Sequence, residues 1–298
     1  MKNIWFVLPA YNEEEVLNKT AQVLSDIFEK LIENNKISTD SKILFADDGS
    51  KDKTWDIIED LHAKNSAIKG IKLLKNSGQQ FALFAAYEEA FRNNCDAVIS
   101  LDVDMQDDTS VLENIVDRYE KENYEIILVT HNSRKTDTFF KSFTANAFYS
   151  VMNFLGLNVV KNHSEYRLMD RVVLERLMNY QESNLFLRGL IPNLSNNICI
   201  IESERKIRAK GCPKYNFLSS MNLALDGITS LTIKPLRLIF PAGIIVMFCS
   251  IFADTPELFA ILFLGGLQIL FIGLIGEYIA KISIQSKKRP KYFIEKSV

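Results

Sequence analysis

The sequence predicts an α/β domain, a mainly parallel sheet with helices on both faces, followed by an α-helical transmembrane hairpin. Three observations predict it. Short β-rich runs alternate with helical stretches over the first two-thirds of the chain. Polar clusters, two of them rich in carboxylates, follow four successive strand runs. Two long apolar runs lie near the end, with Lys and Arg outside them and none between. A chain of 298 residues has room for one large domain and such an appendage.

Strands are expected at Asn3–Leu8, Lys42–Ala46, Ala67–Leu74, Ala97–Leu101 and Glu125–Thr130. Helices are expected between them, at Glu14–Asn34, Thr54–Asn65, Gly78–Asn93 and Val111–Glu122. Such alternation builds a sheet covered on both faces. Residues 139–182 read as helical, and a basic, irregular stretch follows through Arg205, Arg208 and Lys214. Leu218, Met221, Leu225 and Ile228 recur at helical spacing. They read as an amphipathic helix at a membrane interface or, alternatively, packed on the domain.

The apolar runs are Leu238–Ala253 and Leu258–Ile275, and between Leu238 and Ile275 only Asp254 and Glu257 are ionisable. The second run is long enough to cross a bilayer and the first is marginal; the alternative is a buried helical hairpin in a soluble core, which would normally show a polar face. Lys234 and Arg237 precede the hairpin, while Lys281, Lys287, Lys288, Arg289 and Lys291 follow it. The positive-inside rule puts both flanks in the cytoplasm. No signal peptide precedes the first strand run, so the domain is expected to face the cytoplasm too. Formal net charge is −2, which gives no global reason to expect nucleic acid. The four cysteines lack metal-site or disulfide spacing and read as isolated thiols of a reducing compartment.

Ligands of such sheets bind outside the carboxyl ends of the strands. Pro9-Ala10-Tyr11-Asn12-Glu13 follows the first strand, Asp47-Asp48-Gly49-Ser50 the second, Lys75-Asn76-Ser77-Gly78 the third, and Asp102-Val103-Asp104-Met105-Gln106-Asp107 the fourth. One such cluster is ordinary turn chemistry, but four would converge on one crevice. Asp102 and Asp104 would point the same way on a strand. They could then share one hard cation with substrate phosphates, as Mg2+ is commonly held. Asp47 or Asp48 could accept from a nucleoside, or cap the helix near Thr54, a task Asp52 could also take. Glu13 has the same two readings. His131 and His163 are lone histidines and read as structural.

These residues resemble glycosyltransferase family 2, the inverting GT-A fold, and more narrowly its polyprenyl-phosphate glycosyltransferases. The resemblance covers nearly the whole chain. It rests on Pro9–Glu13, Asp47–Ser50, Asn76 with Gly78, Asp102–Asp107, Glu165-Tyr166-Arg167-Leu168, Arg205 and Arg208 with Gly211–Tyr215, and the segments flanking the hairpin. Here Glu165 stands where the family usually has Asp, Pro213 where it has Ser, and Ala86 where it has Gly; Thr130-His131 replaces a Gly-x-Arg.

The resemblance implies a GT-A catalytic domain at 1–215, a juxtamembrane helix at 216–235, a two-helix hairpin at 236–280 and a basic cytoplasmic tail at 281–298. Glu13, Asp47 and Asp48 would hold the nucleoside of a nucleotide sugar, with Pro9, Tyr11 and Asn76 also among the donor-binding residues. Asp102 and Asp104 would serve the diphosphate and a Mg2+ or Mn2+ ion, with Gln106 beside the sugar. Arg205, Arg208 and Lys214 would grip phosphates. Asp104, Gln106, Glu165 and Arg167 would carry catalysis. The implied reaction moves a hexose, glucose from UDP-glucose, to undecaprenyl or another polyprenyl phosphate in a bacterial inner membrane. A homo-oligomer is implied as well. Alternatives are another sugar, a non-lipid acceptor, or a scaffold without turnover. A lipid phosphate has a second pKa of about 6 and is already anionic near neutrality. It needs positioning more than deprotonation, a role open to Arg167. A sugar hydroxyl would instead make Glu165 a candidate base.

Overall fold

The computed structural model describes residues 1–104, 108–131, 163–180, 186–203, 257–287 and 289–298. The chain begins with β1 (Ile4–Ala10), α1 (Leu17–Glu33), β2 (Lys42–Asp47), α2 (Thr54–Lys64), β3 (Ile68–Leu73), α3 (Gln79–Arg92) and β4 (Ala97–Ser100). There follow α4 (Leu112–Glu122), β5 (Ile126–His131), β6 (His163–Asp170), α5 (Arg171–Met178), α6 (Leu187–Leu190) and β7 (Ile198–Ser203). The long helix α7 (Glu257–Ser286) and the short strand β8 (Ile294–Ser297) end it.

Among the described residues one sheet runs in the order β7-β5-β6-β4-β1-β2-β3-β8. Its centre, β3-β2-β1-β4, is parallel, as the alternation predicts. The sequence expectation is incomplete beyond that centre. β6 lies antiparallel between β4 and β5, and β8 is antiparallel to β3, so the sheet is mixed.

The helices cover both faces because the central strands bury both sides. In β1, Ile4, Phe6, Leu8 and Ala10 join one core, while Trp5 and Val7 join the other. That is the two-residue period of a strand. The first core receives Leu17, Ala21, Leu24, Phe28 and Leu31 of α1, at the spacing of one helical stripe. The second receives α3, whose Ala82, Ala85, Ala86 and Ala90 allow close approach to the sheet.

Residues 163–170 correct the helical expectation for 139–182. Tyr166 and Leu168 face the first core and Met169 the second, so the segment has strand periodicity. Only α5 realises the expected helix there, and the other described residues of that range are not helical. Much of the stretch expected as a tail, 281–298, has regular structure. Its first residues finish α7, and its last residues are β8, an edge strand of the domain sheet. Val298 packs against the first core and Tyr292 against the second.

The first apolar run and the 216–235 helix lie outside the described residues. The second run lies in α7, where exposed Ile261, Ile272, Ile275 and Ile279 share one stripe and exposed Phe263 lies on the opposite side. The side chains of 258, 259, 262, 266, 269 and 270 are outside the described set. With those six side chains left out, no helix among the described residues is long and apolar enough to cross a membrane.

Candidate active site

The carboxyl ends of β1, β2 and β3 are laced to one another by backbone groups. Asp48 N–H donates to Ala10 O at 2.8 Å. Asn12, at a left-handed φ of 51°, donates its N–H to Ser50 Oγ at 2.9 Å and accepts Lys51 N–H on Oδ1 at 3.0 Å. Glu13 N–H donates to Thr54 Oγ1 at 2.9 Å. The Pro9–Glu13 and Asp47–Ser50 motifs therefore form one wall. Asp52 accepts from Thr54 N–H at 3.0 Å and Glu14 N–H at 3.2 Å, so it takes the helix-entry task.

Asp47 and Asp48, both buried, have different duties. Asp48 accepts Ser77 N–H on Oδ1 at 2.7 Å and Gly78 N–H on Oδ2 at 2.8 Å. It brackets the loop after β3 and sits at the positive end of α3. Burial raises its pKa against the pull of those two N–H groups. Asp47 accepts Ser50 N–H on Oδ1 at 3.0 Å, but its buried Oδ2 has no hydrogen-bond partner among the described residues. Burial pushes its pKa up too. An unmet buried carboxylate oxygen is costly, and a ligand N–H or O–H would satisfy it. Asp47 thus keeps the nucleoside-contact reading, while Asp48 has a clear structural task. Gly49 lets the two loops meet: its φ is +66°, and a Cβ there would lie 2.6 Å from Lys75 C. Asn76 is exposed on the same loop, and Pro9, Tyr11 and Glu13 are half-buried.

β4 ends at Ser100, so Asp102 and Asp104 lie in the turn beyond it, not on a strand as the spacing argument assumes. Alternation nevertheless persists. Leu101 and Val103 are buried in the first core, and Asp102 and Asp104 are half-buried. Thr20 pins this turn by donating its hydroxyl to Val103 O at 2.7 Å. Gln79 Nε2 donates to Asp102 Oδ1 at 2.9 Å. Two carboxylates offer the hard oxygen donors that Mg2+ or Mn2+ takes, and such ions complete their shells with water and phosphate. Among the described residues no group of three or more His, Cys, Asp or Glu could hold a metal alone. Carboxylates of this kind fit a metal whose shell is completed by water and substrate phosphates.

Glu165 and Arg167 stand on β6 beside β4, with Arg167 paired to Ser100 in register. Their side chains are 3% and 0% exposed and form an ion pair with each other. Burial lowers the Arg167 pKa to about 10, so it stays protonated at neutral pH. A carboxylate committed to a buried guanidinium is a poor general base. Glu165 also accepts from Gln80 Nε2 and Arg188, each at 3.3 Å. Gln106, Arg205, Arg208 and Lys214 lie outside the described residues.

Sequence reasoning missed Gln79, Gln80 and Arg188. The glutamines could have been found: they open the helix that follows a strand-end loop, where side chains overlook the crevice. Nothing in the pattern around Arg188 marks it.

The family model for glycosyl transferase family 2 matches residues 5–178. The uncharacterized glycosyltransferase YkoT of Bacillus subtilis (strain 168) is 42% identical over 97% of this chain and 90% of its own. The bactoprenol glucosyl transferase of Shigella phage SfII is 34% identical over 99% of this chain and 98% of its own. Among solved structures, glucosyl-3-phosphoglycerate synthase from Mycobacterium tuberculosis, in complex with Mn2+, UDP and glucosyl-3-phosphoglycerate, superimposes with a TM-score of 0.51. It is 14% identical over 77% of this chain and 78% of its own, and supports the GT-A fold alone.

Proposed function

The chain belongs to glycosyltransferase family 2, and from that premise we propose that it transfers a hexose, glucose from UDP-glucose, to a polyprenyl phosphate such as undecaprenyl phosphate. The observation that carries this reading is the nearly end-to-end match, at 34% identity, to a bactoprenol glucosyl transferase. The strand-end crevice supports it chemically. Asp47, with its unmet buried oxygen, would receive a donor N–H or O–H of the nucleoside, beside Pro9, Tyr11 and Glu13. Asp48 and Asn76 would hold the loop that closes the nucleoside site. Asp102 and Asp104 would hold Mg2+ or Mn2+, which, when bound, neutralises charge on the leaving diphosphate.

In the reaction, an anionic oxygen of the lipid phosphate attacks the anomeric carbon from the face opposite UDP. The new C1–O bond forms as the C1–O bond to the diphosphate breaks, and UDP leaves with that electron pair. No proton need move, because the acceptor oxygen is already ionised near neutrality. The buried Glu165–Arg167 pair fits this chemistry: it shapes the crevice and performs no deprotonation. Arg205, Arg208, Lys214 and Gln106 complete the proposed site as phosphate and sugar contacts.

A membrane acceptor fits a membrane anchor, since tethering raises effective concentration at the surface. The proposed hairpin places α7 as its second crossing. Its 30 residues span about 45 Å at about 1.5 Å each, against a hydrocarbon core of about 30 Å. The site would then face the cytoplasm of a bacterial inner membrane.

The test is transfer in detergent. Full-length protein receives undecaprenyl phosphate, Mg2+ or Mn2+, and labelled UDP- and GDP-sugars, and label is counted in the organic phase. Label from UDP-glucose is expected. Label from a different donor would replace the sugar; tight UDP binding without lipid label would sink the lipid acceptor.

A further inference from the structure

Sequence points to Arg167 as the cation that orients an anionic acceptor. Its position argues otherwise. It is 0% exposed, and its guanidinium is turned on Glu165. It serves as the counter-charge of that carboxylate and is closed off from solvent.

Arg188 is not closed off. It follows the first residue of α6, its side chain is 37% exposed, and its guanidinium reaches Glu165 Oε1 at 3.3 Å. The same oxygen receives Gln80 Nε2, also at 3.3 Å. Strong charge-assisted pairs are nearer about 2.7–2.9 Å, so neither donor is tightly engaged. Arg167 pairs with Glu165 inside and also feels the charge of Asp102, while Arg188 is the partly exposed cation of the group. A guanidinium carries five N–H donors in a planar fork suited to phosphate oxygens, so contact with Glu165 leaves donors over.

The link to the crevice is short. Gln80 also accepts Leu187 N–H on Oε1 at 2.9 Å, so one side chain grips both Glu165 and the residue before Arg188. Its neighbour Gln79 holds Asp102 at 2.9 Å. The first two residues of α3 thus tie the proposed metal-side carboxylate to the base of Arg188.

We propose that Arg188 binds a phosphate oxyanion of one of the two substrates, and that Gln80 is the positioning residue that sets where its guanidinium lies. The inference rests on the transferase reading above. The donor diphosphate and the acceptor phosphate share the recognised chemistry, and kinetics separates them.

Full-length wild type, R188Q, R188K and Q80A are compared in the transfer assay, with UDP binding measured by calorimetry. R188Q leaves Glu165 its Arg167 partner, so the buried charge stays compensated and the fold is expected to survive. R188Q should raise one KM at least tenfold with little change in melting temperature. R188K should recover part of the loss, because it keeps charge but not the fork. Q80A should raise the same KM by less. A raised donor KM with weaker UDP binding assigns the donor diphosphate; a raised acceptor KM with unchanged UDP binding assigns the acceptor. Unchanged KM values in R188Q, or in R188K if R188Q does not fold, overturn the proposal and leave Arg188 as a structural partner of Glu165. If wild type labels no lipid, the transferase reading fails separately, and inorganic pyrophosphate is titrated instead. Weaker binding to the variant then supports the cation's role, and equal binding, or none to either protein, overturns it.

Discussion

Replacing Gly49 by alanine should disable the site through two neighbouring loops. Its φ of +66° costs an ordinary L-residue about 1–2 kcal/mol. The new Cβ would also stand 2.6 Å from Lys75 C and 2.8 Å from Asn76 N, which are backbone atoms that no rotamer can move. The 75–78 loop must therefore shift, and it is held there by Asp48 through Ser77 N–H at 2.7 Å and Gly78 N–H at 2.8 Å. Losing one hydrogen bond to a charged group costs about 1.5–3 kcal/mol. Together the change should cost about 2.5–5 kcal/mol, a sizeable share of the about 5–15 kcal/mol of a typical fold. Chemical denaturation of the detergent-solubilised chain measures it, and UDP titration should show weakened binding in parallel. Gly49→Asn separates the two causes. Asparagine tolerates the left-handed region better than alanine, but its Cβ meets the same backbone. The contact argument requires Gly49→Asn to fail nearly as badly as Gly49→Ala. Near-wild-type stability in the asparagine variant would refute it and leave only the backbone angle.

Asp104→Ala should abolish sugar transfer while leaving the melting temperature close to wild type, since the side chain is half-buried and outside the core; retained transfer would remove Asp104 from the reaction. Lys36→Met should cost about 0.5–1 kcal/mol near neutral pH, because Lys36 bridges Glu113 and Asp117 at 2.7 Å each on a partly exposed surface. Hydrogen bonding to Asp117 raises the Lys36 pKa, and the same bond lowers that of Asp117. The lysine's contribution is therefore present below its unfolded pKa and lost as pH rises through the folded one. The aspartate's is present above its unfolded pKa and lost as pH falls through the folded one. Denaturation of both proteins across pH should show the difference on a neutral plateau, closing at either extreme; a difference that grows below pH 4 would contradict the pairing.

The parallel centre of the sheet was legible because β1, β2 and β4 are continuous apolar runs ending in polar clusters, a pattern that buried parallel strands require. β6 was not. Its residues 163–170 mix His, Ser, Glu and Arg with apolar side chains and lie inside a stretch that reads as helical. The charges are tolerated in a strand because Glu165 and Arg167 neutralise each other inside the sheet, a tertiary fact with no local signature. β8 was hidden for a related reason. Ile294-Glu295-Lys296-Ser297 is short and exposed, and only its pairing with β3 makes it a strand. In the site, the motifs put Asp47 and Asp48 together at the end of a strand but could not distinguish them. Backbone N–H groups occupy both oxygens of Asp48, and one oxygen of Asp47 remains unmet. Only coordinates carry that difference.

β8 also bears on how the proposed anchor can be threaded. Val298 donates its N–H to Gly70 O at 2.9 Å and accepts Gly70 N–H at 3.1 Å, so the last residue is bound to the catalytic sheet. Lys291 donates to Tyr180 O at 2.7 Å and lies 3.9 Å from the Phe84 ring centroid. From the end of α7 at Ser286 to β8 at Ile294 the chain has residues 287–293, seven in all, with a reach of about 25 Å at about 3.3–3.6 Å each. With the proposed hairpin inserted, Val298 would lie on the same side of the membrane as the catalytic domain, and the crossings between Ser203 and Ile294 would be even in number. Two crossings satisfy this and agree with the Lys and Arg flanks; one does not. A fluorescent protein fused after Val298 should fluoresce, and alkaline phosphatase fused there should be inactive, the signs of a cytoplasmic end. Deleting 291–298 should lower the melting temperature and promote aggregation, because it bares the edge of β3. Phosphatase activity at the C-terminus of a folded, active protein would show that β8 cannot pair within its own sheet and would overturn the even count. Truncation after residue 235 would remove a strand of the sheet along with the proposed anchor.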